Sequence, residues 1–225
     1  MSSPQTAPLI PAATVLLARD SAHGLEVLML RRNSALRAFG GAWVFPGGRV
    51  DTSDGTENDS EQMRARYAAV RETLEETGLK ISPDALVSLS LWIPPAQEKR
   101  RFSTHFFITK APDSAVIIDA GEIHDFQWVQ PQAIISSMPN PDMPIMPPTY
   151  ISLLEISSFS RVNHALEHLS ARPDDRFETR FARTDSGFVT LWQPDAAYDC
   201  GDLSTAGPRH RLTAGPDNWH YERKH

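Results

Sequence analysis

The segment from Glu61 to Thr77 reads as a helix bounded at both ends, and a helix of this length has to be laid against something. Asp59 or Ser60 is placed to cap its N-terminus, and Gly78 supplies the left-handed residue that closes the other end. Met63, Tyr67, Val70 and Leu74 recur at spacings of four, three and four, which predicts one apolar stripe along it. On either side the chain changes to short β-type runs. Residues 13–17 and 25–30, separated by a polar turn at 20–24, predict a hairpin, and a third strand at 42–45 is stopped by Pro46-Gly47-Gly48. Further strands are expected at 86–93, 102–109 and 126–129, with a weaker one at 115–118. The six prolines of residues 131–148 predict an irregular wrap, a second helical pattern follows from Tyr150 to Leu169, and the remainder returns to short β-like pieces. The class is mixed α/β.

With 225 residues, 40% of them hydrophobic, the chain can bury its own core as one large domain or one with an appendage. Twenty-eight acidic against 22 basic residues give a formal charge of -6, which argues against a protein that holds nucleic acid by broad phosphate neutralisation. An anionic substrate would need its countercharge from elsewhere. The single cysteine, Cys200, allows no intramolecular disulfide, and residues 1–20 carry no basic segment ahead of their short apolar stretch. Both facts lead to the expectation of a reducing, cytoplasmic setting. No apolar run approaches the ~20 residues of a membrane-spanning helix, so no membrane partner is expected.

Glu72, Glu75 and Glu76 stand at i, i+3 and i+4 on the predicted helix and are expected to project from nearly one face, opposite the apolar stripe. Like charges at this spacing repel by a few tenths of a kcal/mol, and a divalent cation reverses the sign of that interaction. The alternative is a solvated acidic face paired with Arg71 and neighbouring bases. The Pro46-Gly47-Gly48 turn favours the cation, because glycine lets backbone approach an ion or phosphate where a side chain would block it.

The run Arg71-Glu72-Thr73-Leu74-Glu75-Glu76-Thr77-Gly78-Leu79, preceded by Phe45-Pro46-Gly47-Gly48, resembles the Nudix hydrolase signature G-x5-E-x7-R-E-U-x-E-E-x-G-U, with U aliphatic. The second half matches at every fixed position, with Thr73 in place of the usual aliphatic. In the first half the chain carries nine extra residues, placed in the linker at 51–60. The signature's first glutamate falls at Asp54 when counted from Gly48 and at Met63 when counted back from Arg71; neither is assigned its role, and Glu57 and Glu61 lie nearby. The resemblance implies an α/β/α sandwich with a mixed sheet, a Mg2+ or Mn2+ cluster, and hydrolysis of a nucleoside diphosphate linked to another group. It makes Glu72, Glu75 and Glu76 metal ligands joined by the carbonyl of Gly47, with Arg71 orienting the glutamates. Glu122, six residues before Trp128, is either a further ligand or base, or a plain surface acid.

Residues 28–48 also resemble the motif L-L-T-x-R-S-x3-R-x3-G-x3-F-P-G-G of the coenzyme A diphosphatase branch, with Arg32, Arg37, Gly41, Phe45 and Gly48 in register and Leu30 and Asn33 departing from it. That resemblance makes these five the substrate-binding set. Guanidinium groups suit the 3′-phosphate of coenzyme A, while basic residues at a strand edge also serve to discourage sheet pairing. The layout of residues 12–155 is similar to larger Nudix proteins related to acyl-coenzyme A diphosphatases. Arg100 and Arg101 read as a basic turn between strands or as phosphate ligands. Trp192, Tyr198, Trp219 and Tyr221 read as a satellite core or as a flap over a thioester chain.

The expectation is a hydrolase domain at 10–148 with a helical and β extension at 149–225 packed on it. The resemblance leads us to expect that it splits coenzyme A or acyl-coenzyme A into 3′,5′-ADP and (acyl-)4′-phosphopantetheine. The rivals are a pyrophosphatase of ADP-ribose, NADH or capped RNA, the last disfavoured by the charge, and a non-catalytic ligand-binding regulator of the same fold. The partner is a small nucleotide, not nucleic acid; oligomeric state is open, a homodimer included.

Overall fold

A computed structural model describes residues 6–35, 40–184 and 187–224. A long first strand, β1 (Leu9–Ser21), returns as β2 (Gly24–Arg32) in the predicted hairpin, with Ser21 opposite Gly24 and Ala18 opposite Val27. The short strands β3 (Trp43–Val44) and β4 (Gly47–Arg49) precede α1 (Glu61–Thr77), which is followed by β5 (Val87–Ile93), β6 (Arg101–Lys110) and β7 (Ile123–Val129). Helices α2 (Pro131–Ser137), α3 (Pro147–Ile156) and α4 (Val162–Ser170) lead to β8 (Asp175–Glu178). Strands β9 (Arg180–Thr184), β10 (Gly187–Leu191), β11 (Arg209–Ala214) and β12 (Trp219–Lys224) complete the described chain.

Strands β3-β2-β1-β6-β5-β8 lie side by side, with β4 also on β1 and β7 on β2. The β1–β6 and β5–β8 pairings are parallel and the others antiparallel, so the sheet is mixed. Along β1 the side chains alternate between two cores: Leu16 and Ala18 face one, Ala13, Val15 and Leu17 the other. Ala65, Ala68 and Ala69 of α1 close the second core, while Leu153, Ile156, Val162, Ala165 and Leu169 of α3 and α4 close the first. Helices on both faces of a mixed sheet make the expected α/β/α sandwich. Among the described residues no helix is long and apolar enough to cross a membrane.

The stripe expected on α1 is not its buried face. Ala65, Ala68, Ala69, Thr73, Glu76 and Thr77 are buried, whereas Leu74 is 44% exposed and Met63, Tyr67 and Val70 are only partly covered. Small side chains let the helix lie close on the sheet, and the Thr73 and Thr77 hydroxyls donate back to the carbonyls of Ala69 and Thr73, so burial leaves no polar group unmet. Turning this face inward carries Glu76 to the sheet. Ser60 caps the helix by accepting from the Met63 amide at 3.1 Å, and Gly78, at φ +70°, closes it. Ser60→Ala is expected to cost about 1 kcal/mol, seen as a lower urea midpoint at unchanged slope.

Three other expectations change. Pro131 starts α2 inside the expected wrap, because the first helical position needs no backbone N–H. Residues 115–118 form no strand; the Ile117 amide instead donates to Thr77 O at 2.8 Å. The second helical pattern divides into α3 and α4, and the first amide of α4, at Val162, is capped by Asp20 near the end of β1 at 2.9 Å.

The part after residue 149 shares both sheet and core with the part before it. Strand β8 lies beside β5 with Phe177 opposite Trp92, and their rings stack at 4.0 Å. Trp192, fully buried, sets its edge against both, at 5.6 and 5.3 Å. Trp219 and Tyr221 pack on the same core, and Tyr198 on a small separate cluster with Val189 and Leu191, so these aromatics follow the core alternative.

Candidate metal centre

The glycine turn is held against β1 by pairing of Thr14 with Gly47 and Ala13 with Gly48. Thr14 donates its hydroxyl to Pro46 O at 2.8 Å, and the Val15 amide donates to the same carbonyl at 2.9 Å. Crowding against backbone dictates Gly47, and at Gly48 any side chain would displace the Glu72 carboxylate. A Cβ on Gly47 would stand 2.3 Å from Ala13 O, and one on Gly48 would stand 2.3 Å from Oε1 of Glu72. The Glu72 carboxylate therefore lies directly on the backbone of the turn.

Glu76 reaches the same turn from one helical turn further on and accepts from the Gly47 amide at 2.9 Å. It is 5% exposed, and burial pushes its carboxyl up to about 8; the Gly47 bond and Arg32 oppose the rise, while Glu72 and Glu122 add to it. Glu72 is also raised, by burial first, against the pull of Arg71. Glu122, just before β7, is aligned by the Asn33 amide, which donates to its carbonyl at 2.8 Å, and its carboxylate lies 3.6 Å from Nη2 of Arg32. The Arg32 side chain is 20% exposed, and its buried Nε has no partner. Glu72, Glu76, Glu122 and Arg32 thus act on one another electrostatically around the glycine turn.

The Glu75 side chain is 57% exposed and held by Arg71 Nη1 at 3.1 Å, the same nitrogen that donates to Glu72 at 2.9 Å, so Glu72 and Glu75 stay neighbours, while α1 turns Glu76 inward and leaves Glu75 on the flank of the set. Arg71 also donates to Arg49 O at 3.0 Å, and its Nε and Nη2 grip Asp54 at 3.0 and 2.8 Å. Asp54 is 4% exposed. Burial alone would raise its pKa, but the Arg71 bonds, the Asp51 amide and the charges of Arg71 and Arg64 outweigh burial and hold it below the ordinary carboxylate value.

Asp54 is the residue that sequence reasoning reached by counting but gave no role. The signal was its place six positions after Gly48, the spacing of the signature's first glutamate, with an acid one methylene shorter. Counted this way, the nine extra residues fall between Asp54 and Arg71.

The other expected substrate ligands separate. Gly41, at φ +81°, closes the turn after β2 by donating to Arg32 O at 3.1 Å, so it sets the backbone of Arg32. Phe45 is 3% exposed and packs in the core, so its ring is closed to a ligand, contrary to the expectation of a substrate contact. Arg37 lies outside the described residues.

Among the described residues no three acidic, imidazole or thiol groups converge closely enough to hold an ion as they stand. The donor set nonetheless suits a hard divalent cation. Its members are carboxylate oxygens, those of Glu76 buried and those of Glu72 partly buried, both raised, beside Glu122, and the Gly47 amide, Arg32 and Arg71 do not bring Glu72 or Glu76 back to the ordinary carboxylate value.

A family model described as NUDIX domain matches residues 8–151. Among curated proteins the chain is 26% identical over 182 residues to putative nudix hydrolase 7 of Caenorhabditis elegans, covering 65% of this chain and 60% of that one. It is 31% identical over 131 residues to the m7GpppN-mRNA hydrolase NUDT17 of Danio rerio, covering 50% and 41%. To the peroxisomal coenzyme A diphosphatase ndx-8 of C. elegans it is 30% identical over 122 residues, covering 51% and 46%. The chain thus spans less than two thirds of the length of each. A crystal structure of a NUDIX hydrolase from Alicyclobacillus acidocaldarius superposes with a TM-score of 0.66 at 21% identity, over 75% of this chain and 100% of that one, and shares the fold.

Proposed function

The chain belongs to the NUDIX family, and from that membership we propose that it hydrolyses the pyrophosphate of a nucleoside diphosphate derivative, with coenzyme A or an acyl-coenzyme A as substrate. The observation that carries the reading is the meeting of Glu72, Glu76, Glu122 and Arg32 at the Gly47-Gly48 turn. Glu72, Glu76 and Glu122, with Glu75 and the backbone of Gly47, would hold Mg2+ or Mn2+, which when bound neutralises the substrate's oxygens and makes water more acidic. Arg71 keeps Glu72 and Glu75 in place. Glu122, the most open carboxylate of the inner set, is positioned to take the proton from the attacking water. Water adds to one phosphorus, the bridging P–O bond breaks, and the other phosphate leaves, giving 3′,5′-ADP and (acyl-)4′-phosphopantetheine.

Arg32 lies among the carboxylates, so its place is at the scissile pyrophosphate; the 3′-phosphate then falls to Arg37. Support for coenzyme A comes from the register of Arg32 and Gly41 with the 28–48 motif and from the coenzyme A diphosphatase relative. The relative that acts on m7GpppN-mRNA motivates capped RNA as the second reading, against which stands the formal charge of -6. We further place the hydrolase domain at 10–148 with residues 149–225 as its extension, in a reducing cytoplasm.

The test is to incubate the protein with coenzyme A thioesters, ADP-ribose, NADH and capped RNA in Mg2+ or Mn2+ and separate the products. Release of 3′,5′-ADP is expected. Turnover of ADP-ribose or of capped RNA alone would remove coenzyme A, and binding without turnover would make the protein a regulator. Arg32→Ala is expected to lower kcat/KM about 10- to 100-fold, the worth of one charged hydrogen bond, on coenzyme A and on its form lacking the 3′-phosphate alike. Arg37→Ala should reduce only the former.

A further inference from the structure

A cleft of about 460 Å³ lies at the end of the main sheet where β5 stops and β6 begins, walled on its other side by residues 178–181 and 198–201. None of the catalytic carboxylates lines it. Arg101, which does, is 9% exposed. Its two terminal nitrogens donate to the neutral carbonyls of Ala7 and Pro94 at 3.2 and 3.1 Å, its Nε has no partner, and no carboxylate among the described residues lies within the 4.0 Å of an ion pair. The other charges around the cleft are already matched: Arg180 with Asp199 at 3.1 Å and Glu178 with Arg176 at 3.6 Å. One buried, uncompensated guanidinium therefore remains, and such a charge is costly unless an anion meets it. Pro94, Ala96, Tyr198 and Phe181, the last 51% exposed, add apolar and aromatic surface to a wall that also carries the polar side chains of Gln97 and Thr179.

We propose that this cleft is a second ligand site, taking a small organic anion, a carboxylate or a phosphate monoester on an apolar or aromatic body, with Arg101 as its countercharge. The volume suits a ligand of metabolite size. Its occupancy has a built-in reporter. Cys200 is the only cysteine in the chain, is exposed, and stands on the rim of the cleft with Sγ 3.5 Å from Thr205 Oγ1.

The experiment follows alkylation of Cys200 by iodoacetamide in the intact protein, by mass spectrometry, with benzoate, phenyl phosphate or benzyl alcohol added. Saturable protection by benzoate assigns the site to carboxylates, and by phenyl phosphate to phosphate esters; a ligand that shields the thiol slows alkylation about 11-fold at ten times its Kd. Neutral benzyl alcohol is expected to give none. Equal protection by benzyl alcohol, or no protection by either anion at millimolar concentration, overturns the proposal. Arg101→Gln should abolish protection, and undiminished protection in that variant also overturns it. Because Arg101 ties two loops, Phe181→Ala serves as the second variant: it alters only the exposed wall, and should weaken both aromatic anions while leaving hydrolysis at the Gly47-Gly48 turn unchanged.

Discussion

Glu76→Gln is expected to fold as the parent does and to lose metal-dependent turnover by about 10³-fold, the equivalent of several kcal/mol of transition-state charge stabilisation. The amide is close to isosteric, and its oxygen accepts from the Gly47 amide as the carboxylate does, so the glycine turn keeps its anchor. What it lacks is the charge. Glu76 sits 5% exposed beside two other acids, an arrangement that burial and repulsion oppose and that only a cation at the turn makes useful. The variant should therefore melt no lower than the parent without metal, and Mg2+ or Mn2+ is expected to raise the melting temperature of the parent but not of the variant. Steady-state rates and melting curves with and without metal check both statements. Full activity in Glu76→Gln would sink the assignment of this carboxylate to the metal.

The helix bearing Glu76 was legible in the sequence to its last residue, because Ser60 and Gly78 are local signals read by the backbone of the helix itself. Its buried face was not. Periodicity ranks positions by side-chain hydrophobicity and so picked out Met63, Tyr67, Val70 and Leu74. Close approach to the sheet depends instead on what is small, and Ala65, Ala68 and Ala69, followed by Thr73 and Thr77, supply it. The same difference explains the carboxylates. A spacing of i, i+3, i+4 places three acids within a narrow arc, but the packing angle of α1 cuts through that arc, burying Glu76 and leaving Glu75 with Arg71. The strands at β1, β2, β5 and β6 were readable from alternation and turn residues, whereas the position of β8 beside β5 was not, since a parallel pairing across so long a connection leaves no local mark. Glu122 and Arg32, distant in sequence, could be named from motifs; that they lie 3.6 Å apart is a property of the β2–β7 pairing.

Asp54→Ala is expected to destabilise the protein by about 3 kcal/mol and to lower turnover about 10- to 100-fold, although Asp54 touches neither of the inward glutamates. The stability term comes from removing the buried partner of a two-bonded ion pair. It stands at the low end of the usual range because Arg71 keeps Glu72 and Glu75 and its side chain is 26% exposed. The folded-state pKa of Asp54 is depressed, so its contribution is complete above the unfolded carboxylate value and disappears as pH falls through the lower folded one. The parent should therefore lose more stability than the variant on acidification below that value. The catalytic term comes through Arg71: with Asp54 gone, its Nε and Nη2 edge loses the carboxylate that fixes it, and the guanidinium holds Glu72 at the turn less precisely. Asp54 is in this sense a positioning residue, and the half-saturating metal concentration should rise more than the substrate KM. Asp54→Glu, which restores the signature's own acid at the same spacing from Gly48, should recover most of the turnover, the Arg71 fork being able to meet a carboxylate one methylene longer. If Asp54→Ala melts lower but keeps full turnover and unchanged metal dependence, the Asp54–Arg71 pair is only a staple between the linker and α1, and the nine inserted residues have separated the first acid of the signature from its chemistry.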